Sequence, residues 1–303
     1  MDSLLTSLAD YFATIPSTHR AAILVGGLTF FWLAESAIPL FRFDYRKWRH
    51  ALVNLFFTLT TVVVNFAMAF LLFLAAEFVT ARGFGLLPWL GALTPSGALG
   101  LGATVLLGLA VLDLISAWLA HWVQHRVRWM WRFHLIHHTD AHVDTTSANR
   151  HHPGESVIRF VFTTLAVLAT GAPMWLVLLY QSLSVVLSQF NHANISLPLW
   201  LDRAISWVIV SPDMHKVHHH YVLPYTDSNY GNIFSIWDRL FGTFMTLDRG
   251  RLVYGVDTHM APEEHSDVRN LMAIPFQPYR KPTTLDSRAQ ESPAPEDSTA
   301  NTP

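Results

Sequence analysis

The stretch FVFTTLAVLATGAPMWLVLLYQSLSVVLSQFNH, residues 160–192, decides how distant parts of this chain meet. It begins a run without charged side chains, 160–201, of 42 residues, whereas one membrane-spanning helix needs about 20. Gly171, Ala172 and Pro173 lie near the middle of the run, and a Gly-Ala-Pro step breaks a helix. The run therefore predicts a helical hairpin, which returns the chain to the face of the membrane that it left.

Three further apolar regions precede this hairpin: 21–41, 51–76 and 83–112. Glu35 interrupts the first, and the helix in the third is expected after Pro95. The chain is 51% hydrophobic and only 14% charged, whereas soluble domains average about 25% charged residues. These features predict an all-α integral membrane protein with about four to five transmembrane or hairpin helices.

The chain divides into three parts by composition. We expect an N-terminal segment at 1–20, a single membrane-embedded domain at 21–279, and a disordered tail at 280–303 that is rich in Pro, Ser, Thr and charge. A net charge of −2 gives no field that would gather nucleic acid. Zero cysteines exclude disulfides, zinc–thiolate sites and iron–sulfur clusters on this chain, so nitrogen and oxygen must hold any metal.

Basic residues set the expected orientation. The loop at 42–50 carries four of them, and the segment after the third apolar region carries Arg126, Arg128 and Arg132. By the positive-inside tendency, the 42–50 loop and residues 121–156 are cytoplasmic. The hairpin then brings residues 192–219 to the same side.

Thirteen of the seventeen histidines lie between residues 121 and 220. They form HWVQH at 121–125, HLIHH at 134–138 and HKVHH at 215–219, and residues three or four apart share one helix face. A single such pair has an ordinary explanation as interfacial polar groups. Three groups that interrupt apolar sequence predict a metal site instead. Eight histidines exceed the coordination shell of one metal, which implies two metals.

These patterns, with FNHAN at 190–194 and SNYGNIFSIWDRLFGTF at 228–244, closely resemble the fatty acid hydroxylase/sterol desaturase superfamily over a core of about 105–245. The resemblance implies a cytoplasmic-side, histidine-rich helical cap that binds two metals. The ligands that it implies are His121, His125, His134, His137, His138, His192, His215, His218 and His219.

The stretch DTTSANRHHPGE at 144–155 matches a further element of the family, with His152 as its histidine. His152 is a candidate either for a ligand or for a residue that orients one. Asn194 is a candidate polar partner of His192, and Asp144, Glu155 and Asp213 are candidates for orienting the ligands, each with the alternative of an interfacial carboxylate.

The resemblance implies an enzyme that uses O₂ and two iron ions, for which zinc can substitute in purified protein, to hydroxylate or desaturate a fatty acyl, sterol or isoprenoid lipid. The sequence has no flavin, haem or iron–sulfur motif, so a ferredoxin- or cytochrome b5-type donor with its reductase is expected to supply electrons. Desaturation and ether-lipid cleavage stay open beside hydroxylation. The alternative from another class is a histidine-rich membrane metal transporter or metal-binding protein, although transporters place their ligands near the bilayer midplane.

Overall fold

The computed structural model describes residues 2–91 and 97–285, which are helical apart from loops and isolated bridge pairs. In chain order the α-helices are α1 Asp2–Ala13, α2 Ser17–Ala37, α3 Lys47–Arg82, α4 Leu86–Gly91, α5 Ala98–Asp113, α6 Ala120–Arg126, α7 Arg128–His138, α8 Pro153–Thr170, α9 Met174–His192, α10 Leu199–Ile205, α11 Pro212–His218, α12 Ile236–Leu240, α13 Pro262–Ser266 and α14 Val268–Ala273. A π-helix, Leu114–Leu119, joins α5 to α6 without a break. The predicted all-α class is confirmed.

Three helical segments among the described residues are long and apolar enough to cross a membrane: Ser17–Ala37, Lys47–Gly91 and Leu99–Arg126. They correspond to the three apolar regions before the hairpin. Large apolar side chains on α3 face outward, and Phe66 is 85% exposed and Phe70 60% exposed. Such a surface suits lipid rather than water. The protein is therefore a membrane protein.

The uncharged run folds as a hairpin of α8 and α9. Gly171 ends α8 with a φ of 70°, and Pro173 precedes α9. A Cβ at Gly171 would collide with the Phe84 carbonyl oxygen and with Pro88, so glycine is also needed for close packing against the start of α4 and the residues before it. Neither α8 nor α9 is among the three segments apolar enough to span. The predicted break in the run is therefore present, and the hairpin packs against the spans.

The hairpin forms the centre of the main hydrophobic core. Leu176 and Val177 of α9 are fully buried, and Phe12 and Ile15 from the N-terminal segment belong to the same buried cluster. The N-terminal segment thus packs on the membrane domain through Phe12 and Ile15.

Buried carboxylates fasten the later loops to the spans. Asp113, at the end of α5, accepts hydrogen bonds from the backbone N–H groups of Ile233 and Phe234 at 3.2 and 3.0 Å. Asp238 of α12 accepts from the backbone N–H groups of Tyr230 and Gly231, both at 2.8 Å. Segment 230–238 is therefore held against the third span. The contact lies on the part of that span that precedes the first histidine pair.

Glu35 and the end of the chain also have defined places. The Glu35 carboxylate accepts hydrogen bonds from the backbone N–H groups of Thr145 at 2.6 Å and Asn194 at 2.9 Å, so this charge in the first span ties α2 to two loops. Residues 280–285, at the start of the predicted tail, pack on the body, and the Leu285 N–H donates to the Leu223 carbonyl at 3.2 Å. The rest of that tail lies outside the described residues.

Candidate metal centre

Four helices deliver the nine histidines to one place. His121 and His125 lie on α6, directly after the π-helix, and three more lie in the last two turns of α7. His192 is the last residue of α9, and the remaining three are at the end of α11 and directly after it. Helix ends from both sides of the hairpin meet here, so the 76 residues between HLIHH and HKVHH bring the two patterns together.

The histidines form two groups, each with ring nitrogens within 4.8 Å of one another. Site 1 contains His121, His125, His134, His138 and His218. Site 2 contains His137, His192, His215 and His219. All nine predicted ligands are in one group or the other.

The H-x-x-H-H pattern divides its members between the two sites. On α7, His134 and His138 belong to site 1, while His137 belongs to site 2. On α11 the assignment is reversed, since His215 and His219 belong to site 2 and His218 to site 1. Residues four apart thus share a site, and the residue between them serves the other. Each pattern contributes to both sites.

Hydrogen bonds show which ring nitrogen points at each site. The Nδ1 atoms of three ligands lie close to backbone carbonyl oxygens: His121 at 2.9 Å from Tyr230, His192 at 2.7 Å from Ser188 and His218 at 2.7 Å from Ser228. A carbonyl oxygen only accepts, so Nδ1 donates and Nε2 of each neutral ring keeps its lone pair. In site 2, Nε2 of His192 lies 3.2 Å from Nε2 of His137 and 3.1 Å from Nε2 of His215.

Site 1 has the same character. Nε2 of His121 lies 2.9 Å from Nε2 of His134, whose Nδ1 lies 2.7 Å from Oε1 of Glu155. When Glu155 accepts this hydrogen bond, two lone pairs face each other, and they repel unless a cation lies between them. The buried Nε2 atoms of His125 and His218 have no hydrogen-bond partner among the described residues. Because an unsatisfied buried nitrogen costs about 1–3 kcal/mol, this set of donors fits a bound metal ion.

Burial keeps the ligands outside the spanning helices neutral. Burial, and then neighbouring histidines, lower the pKa of His134 and His138 in site 1 well below the usual 6.5. The pKa values of His215 and His219 in site 2 are lowered for the same reasons. Neutral imidazole is the form that binds metal, and a set of imidazoles suits Fe, Zn, Cu or Ni.

Among the residues predicted to orient ligands, Glu155 contacts a ligand, His134. The side chains of the others have different partners. His152 caps α8, its Nδ1 accepting from the Gly154 N–H at 3.0 Å, and it is in neither site. The other three serve the loops: Asp144 accepts from Thr146 N–H at 2.8 Å, Asp213 pairs with Arg249 at 2.7 Å, and Asn194 donates to the Phe41 carbonyl at 2.8 Å. Asp144 also lies 3.2 Å from Nδ1 of His50, which belongs to neither site.

Sequence reasoning missed several neighbours of the ligands. Asp227 lies 3.1 Å from Nδ1 of His125, and it precedes SNYGN in the matched sequence, where its charge was a usable signal. Trp131 packs its ring against His125 and His138, with centroids 4.7 and 5.2 Å apart. The carbonyls of Tyr230, Ser228 and Ser188 left no signal, because every residue has one.

A cavity of about 20 Å³, room for about one water molecule, adjoins both sites. Its histidines are His121 and His134 of site 1, His137, His192 and His215 of site 2, and His151. Arg159, Ser188 and Asn232 add polar groups to its wall. A small molecule in this cavity would therefore contact ligands of both sites.

The sequence profile of the fatty acid hydroxylase family matches residues 105–243, the region that holds all nine histidines. This region is therefore similar to the fatty acid hydroxylase family. The chain is 28% identical to the ornithine lipid hydroxylase OlsE of Rhizobium tropici over 140 residues, which are 46% of this chain and 41% of that protein. It is 28% identical to the alkylglycerol monooxygenase of Xenopus tropicalis over 46% of this chain and 30% of that protein.

A cholesterol 25-hydroxylase-like protein of Danio rerio is 27% identical over 41% of this chain and 48% of that protein. The likeness thus spans less than half of each of these relatives. No solved structure matches the chain significantly.

Proposed function

We propose that this protein is a membrane-bound oxygenase that uses two iron ions and O₂ to hydroxylate a lipid. The observation that carries the proposal is the pair of all-histidine sites beside one small cavity in a membrane protein. The relatives are a lipid hydroxylase, a monooxygenase and a sterol hydroxylase-like protein by name, which supports lipid hydroxylation.

The chain's residues would hold and shield the metals. Site 1 would hold its metal through five imidazoles and site 2 through four, and no carboxylate or thiolate joins either group among the described residues. Two irons, when bound, would supply the reduction of O₂ and the oxidation of an unactivated C–H bond. Glu155 and Asp227 orient His134 and His125, and Trp131 packs against His125 and His138 of site 1.

Hydroxylation must balance as R–H + O₂ + 2e⁻ + 2H⁺ → R–OH + H₂O. The carbon loses two electrons, and two more must come from outside the chain, which has no cysteine for an iron–sulfur cluster. A separate one-electron carrier of the ferredoxin or cytochrome b5 type, with its reductase, would supply them. Desaturation of the same lipid would begin with the same C–H oxidation.

The sites are proposed to face the cytoplasm. Residues 42–50, which lead into the first turn of α3, carry Arg42, Arg46, Lys47 and Arg49. These basic residues support the cytoplasmic orientation by the positive-inside tendency. Cytoplasmic electron carriers would then reach the histidine sites directly.

Metal analysis and lipid chemistry together test the proposal. Purified protein should contain two irons per chain, and it should consume O₂ only with a reductant and lipid present. His137→Ala and His218→Ala should each lose metal and activity, whereas His19→Ala, an exposed histidine on α2, should change neither. Comparing the lipids of a deletion strain with those of its parent should reveal a lipid that lacks one oxygen.

A different result would exclude the oxygenase. If the protein moved metal ions across proteoliposomes without consuming O₂, the transporter alternative would replace it. If both histidine variants kept full activity, the two-iron chemistry would be wrong.

A further inference from the structure

Arg159 is a charged residue for which this fold provides few hydrogen-bond or charge partners. It lies on α8 one turn after Glu155, and the uncharged run of the hairpin begins at the next residue. Its side chain lines the cavity together with ligands of both sites and is 29% exposed. Ionisable groups beside apolar membrane helices commonly mark the path of a substrate or ion.

The guanidinium of Arg159 has hydrogen-bonding capacity to spare. Its one ion pair among the described residues is with Oε1 of Glu155 at 3.7 Å, which is beyond hydrogen-bond distance. That same oxygen already accepts from Nδ1 of His134 at 2.7 Å. A guanidinium has five N–H donors, and within the described chain none of those of Arg159 forms a hydrogen bond.

Arg150, nine residues earlier, shows how the same fold satisfies a structural arginine. It is completely buried and donates four hydrogen bonds: to the Ile136 carbonyl at 2.9 Å, Asn54 at 2.9 Å, Thr139 at 3.1 Å and the His265 carbonyl at 2.6 Å. Arg159 lacks such a set of acceptors. The difference indicates that an acceptor for Arg159 comes from outside the chain.

We propose that Arg159 binds the anionic group, a carboxylate or a phosphate, of the lipid substrate at the mouth of the cavity. The planar fork of arginine fits both groups bidentately. Ser188 and Asn232 line the same cavity and make its wall polar, and since the cavity has room for about one water molecule, the anionic group would lie at its mouth and not inside it. This inference rests on the proposed function for the identity of the substrate.

The position of Arg159 also predicts which part of the lipid reacts. Arg159 is connected to site 1 through two contacts, first to Glu155 and then to His134. If Arg159 holds the anionic group, the lipid carbons that adjoin this group lie close to the histidine sites. Hydroxylation should occur near the polar end of the lipid and not near the end of its chain.

The phosphate of a surrounding bilayer lipid offers Arg159 the same chemistry. Such a contact would anchor the hairpin without selecting a substrate. The two sources differ in one measurable respect, since substrate recognition discriminates between an anionic and a neutral lipid with the same chains, whereas general anchoring affects both lipids equally.

The test measures binding first and turnover second. Full-length, metal-free protein in neutral detergent is titrated with labelled oleate or oleyl alcohol, and with phosphatidic acid or diacylglycerol of matched chains. We expect wild-type protein to bind the anionic member of at least one pair about tenfold more tightly, the size of one charge-assisted interaction. Arg159→Gln should remove that preference, Arg159→Lys should keep part of it, and Arg269→Gln, at an exposed arginine on α14, should keep all of it.

Iron-loaded protein then gives the position of the new hydroxyl group by mass spectrometry and the KM for each lipid. Arg159→Gln should raise KM for the anionic lipid alone, with metal content unchanged as the measure of a correct fold. Equal binding of both members of each pair by wild-type protein, or an equal loss for both in Arg159→Gln, overturns the inference. If the anionic preference is present but no O₂ is consumed, the oxygenase fails while the anion site stands.

Discussion

His137 and His138 are neighbours on α7, yet they face different metal sites. Nε2 of His137 lies 3.2 Å from Nε2 of His192 in site 2, and Nε2 of His138 lies 3.2 Å from Nε2 of His134 in site 1. Residues adjacent in a helix point about 100° apart, so one turn of α7 can supply both sites.

This arrangement predicts that two adjacent alanine substitutions remove different metals. His138→Ala should lower the metal affinity of site 1, and His137→Ala that of site 2, because each site loses one imidazole. Stepwise loading with Co²⁺, followed by its absorption spectrum, separates the two sites. Loss of both metals in each variant would contradict two separable sites, and His142→Ala, outside both groups, serves as the control.

Glu155 and Asp227 should tune site 1 and leave site 2 unchanged. Each accepts a hydrogen bond from a site 1 histidine, Glu155 from His134 and Asp227 from His125. Removing such a partner typically costs about 10- to 100-fold in metal affinity. Competition with a chelator should show this loss for Glu155→Ala and for Asp227→Ala. Glu263→Ala, at an exposed carboxylate on α13, should match the wild type.

The hairpin tip offers a test with a matched glycine. Gly171→Ala should destabilise the protein in two ways, since a left-handed φ costs about 1–2 kcal/mol and the new Cβ meets the Phe84 carbonyl oxygen and Pro88. Overpacking of this kind adds about 1–3 kcal/mol. Gly83 also has a positive φ, of 58°, but no atom near its missing Cβ, so Gly83→Ala should show the first cost alone. Thermal unfolding in detergent measures both, and equal losses would exclude the packing argument.

Asp238 should matter to site 1 although it touches no histidine. Its carboxylate holds the Tyr230 N–H at 2.8 Å and Trp118 Nε1 at 3.0 Å, and the Tyr230 carbonyl in turn accepts from His121. In Asp238→Asn, an amide NH₂ group would replace one carboxylate oxygen and would face N–H donors. The unmade hydrogen bonds would cost about 1–3 kcal/mol of stability. We expect weaker metal binding at site 1 together with lower stability. If the variant were less stable but bound metal with unchanged affinity, the segment that Asp238 holds would have no influence on site 1.

Much of the fold was predictable because its main signals are local. The three spans follow from apolar length, and the hairpin follows from Gly171 and Pro173 within an uncharged run. The π-helix and the packing of the N-terminal segment on α9 left no such signal, because both depend on contacts with distant parts of the chain.

The site was predictable to a similar degree. Histidine spacing and the family resemblance predicted the residues that the structure brings together, but not the division of His137 from His138 between sites. That division depends on how α7 and α11 approach each other. Asp144 and Asp213 were reasonable carboxylate candidates by position, yet backbone and arginine partners hold them in other places. Local sequence shows that a carboxylate is nearby, and only the tertiary packing shows what it contacts.

The π-helix at Leu114–Leu119 lies directly before His121. A π-helical turn contains one residue more than an α-helical turn, and one residue corresponds to about 100° of rotation. Deleting a single apolar residue from 114–119 would therefore turn His121 and His125 away from their partners while every histidine remained in the chain. A chain could carry the full histidine signature and still be unable to assemble site 1, so the length of this segment is as informative as the identity of the ligands that follow it.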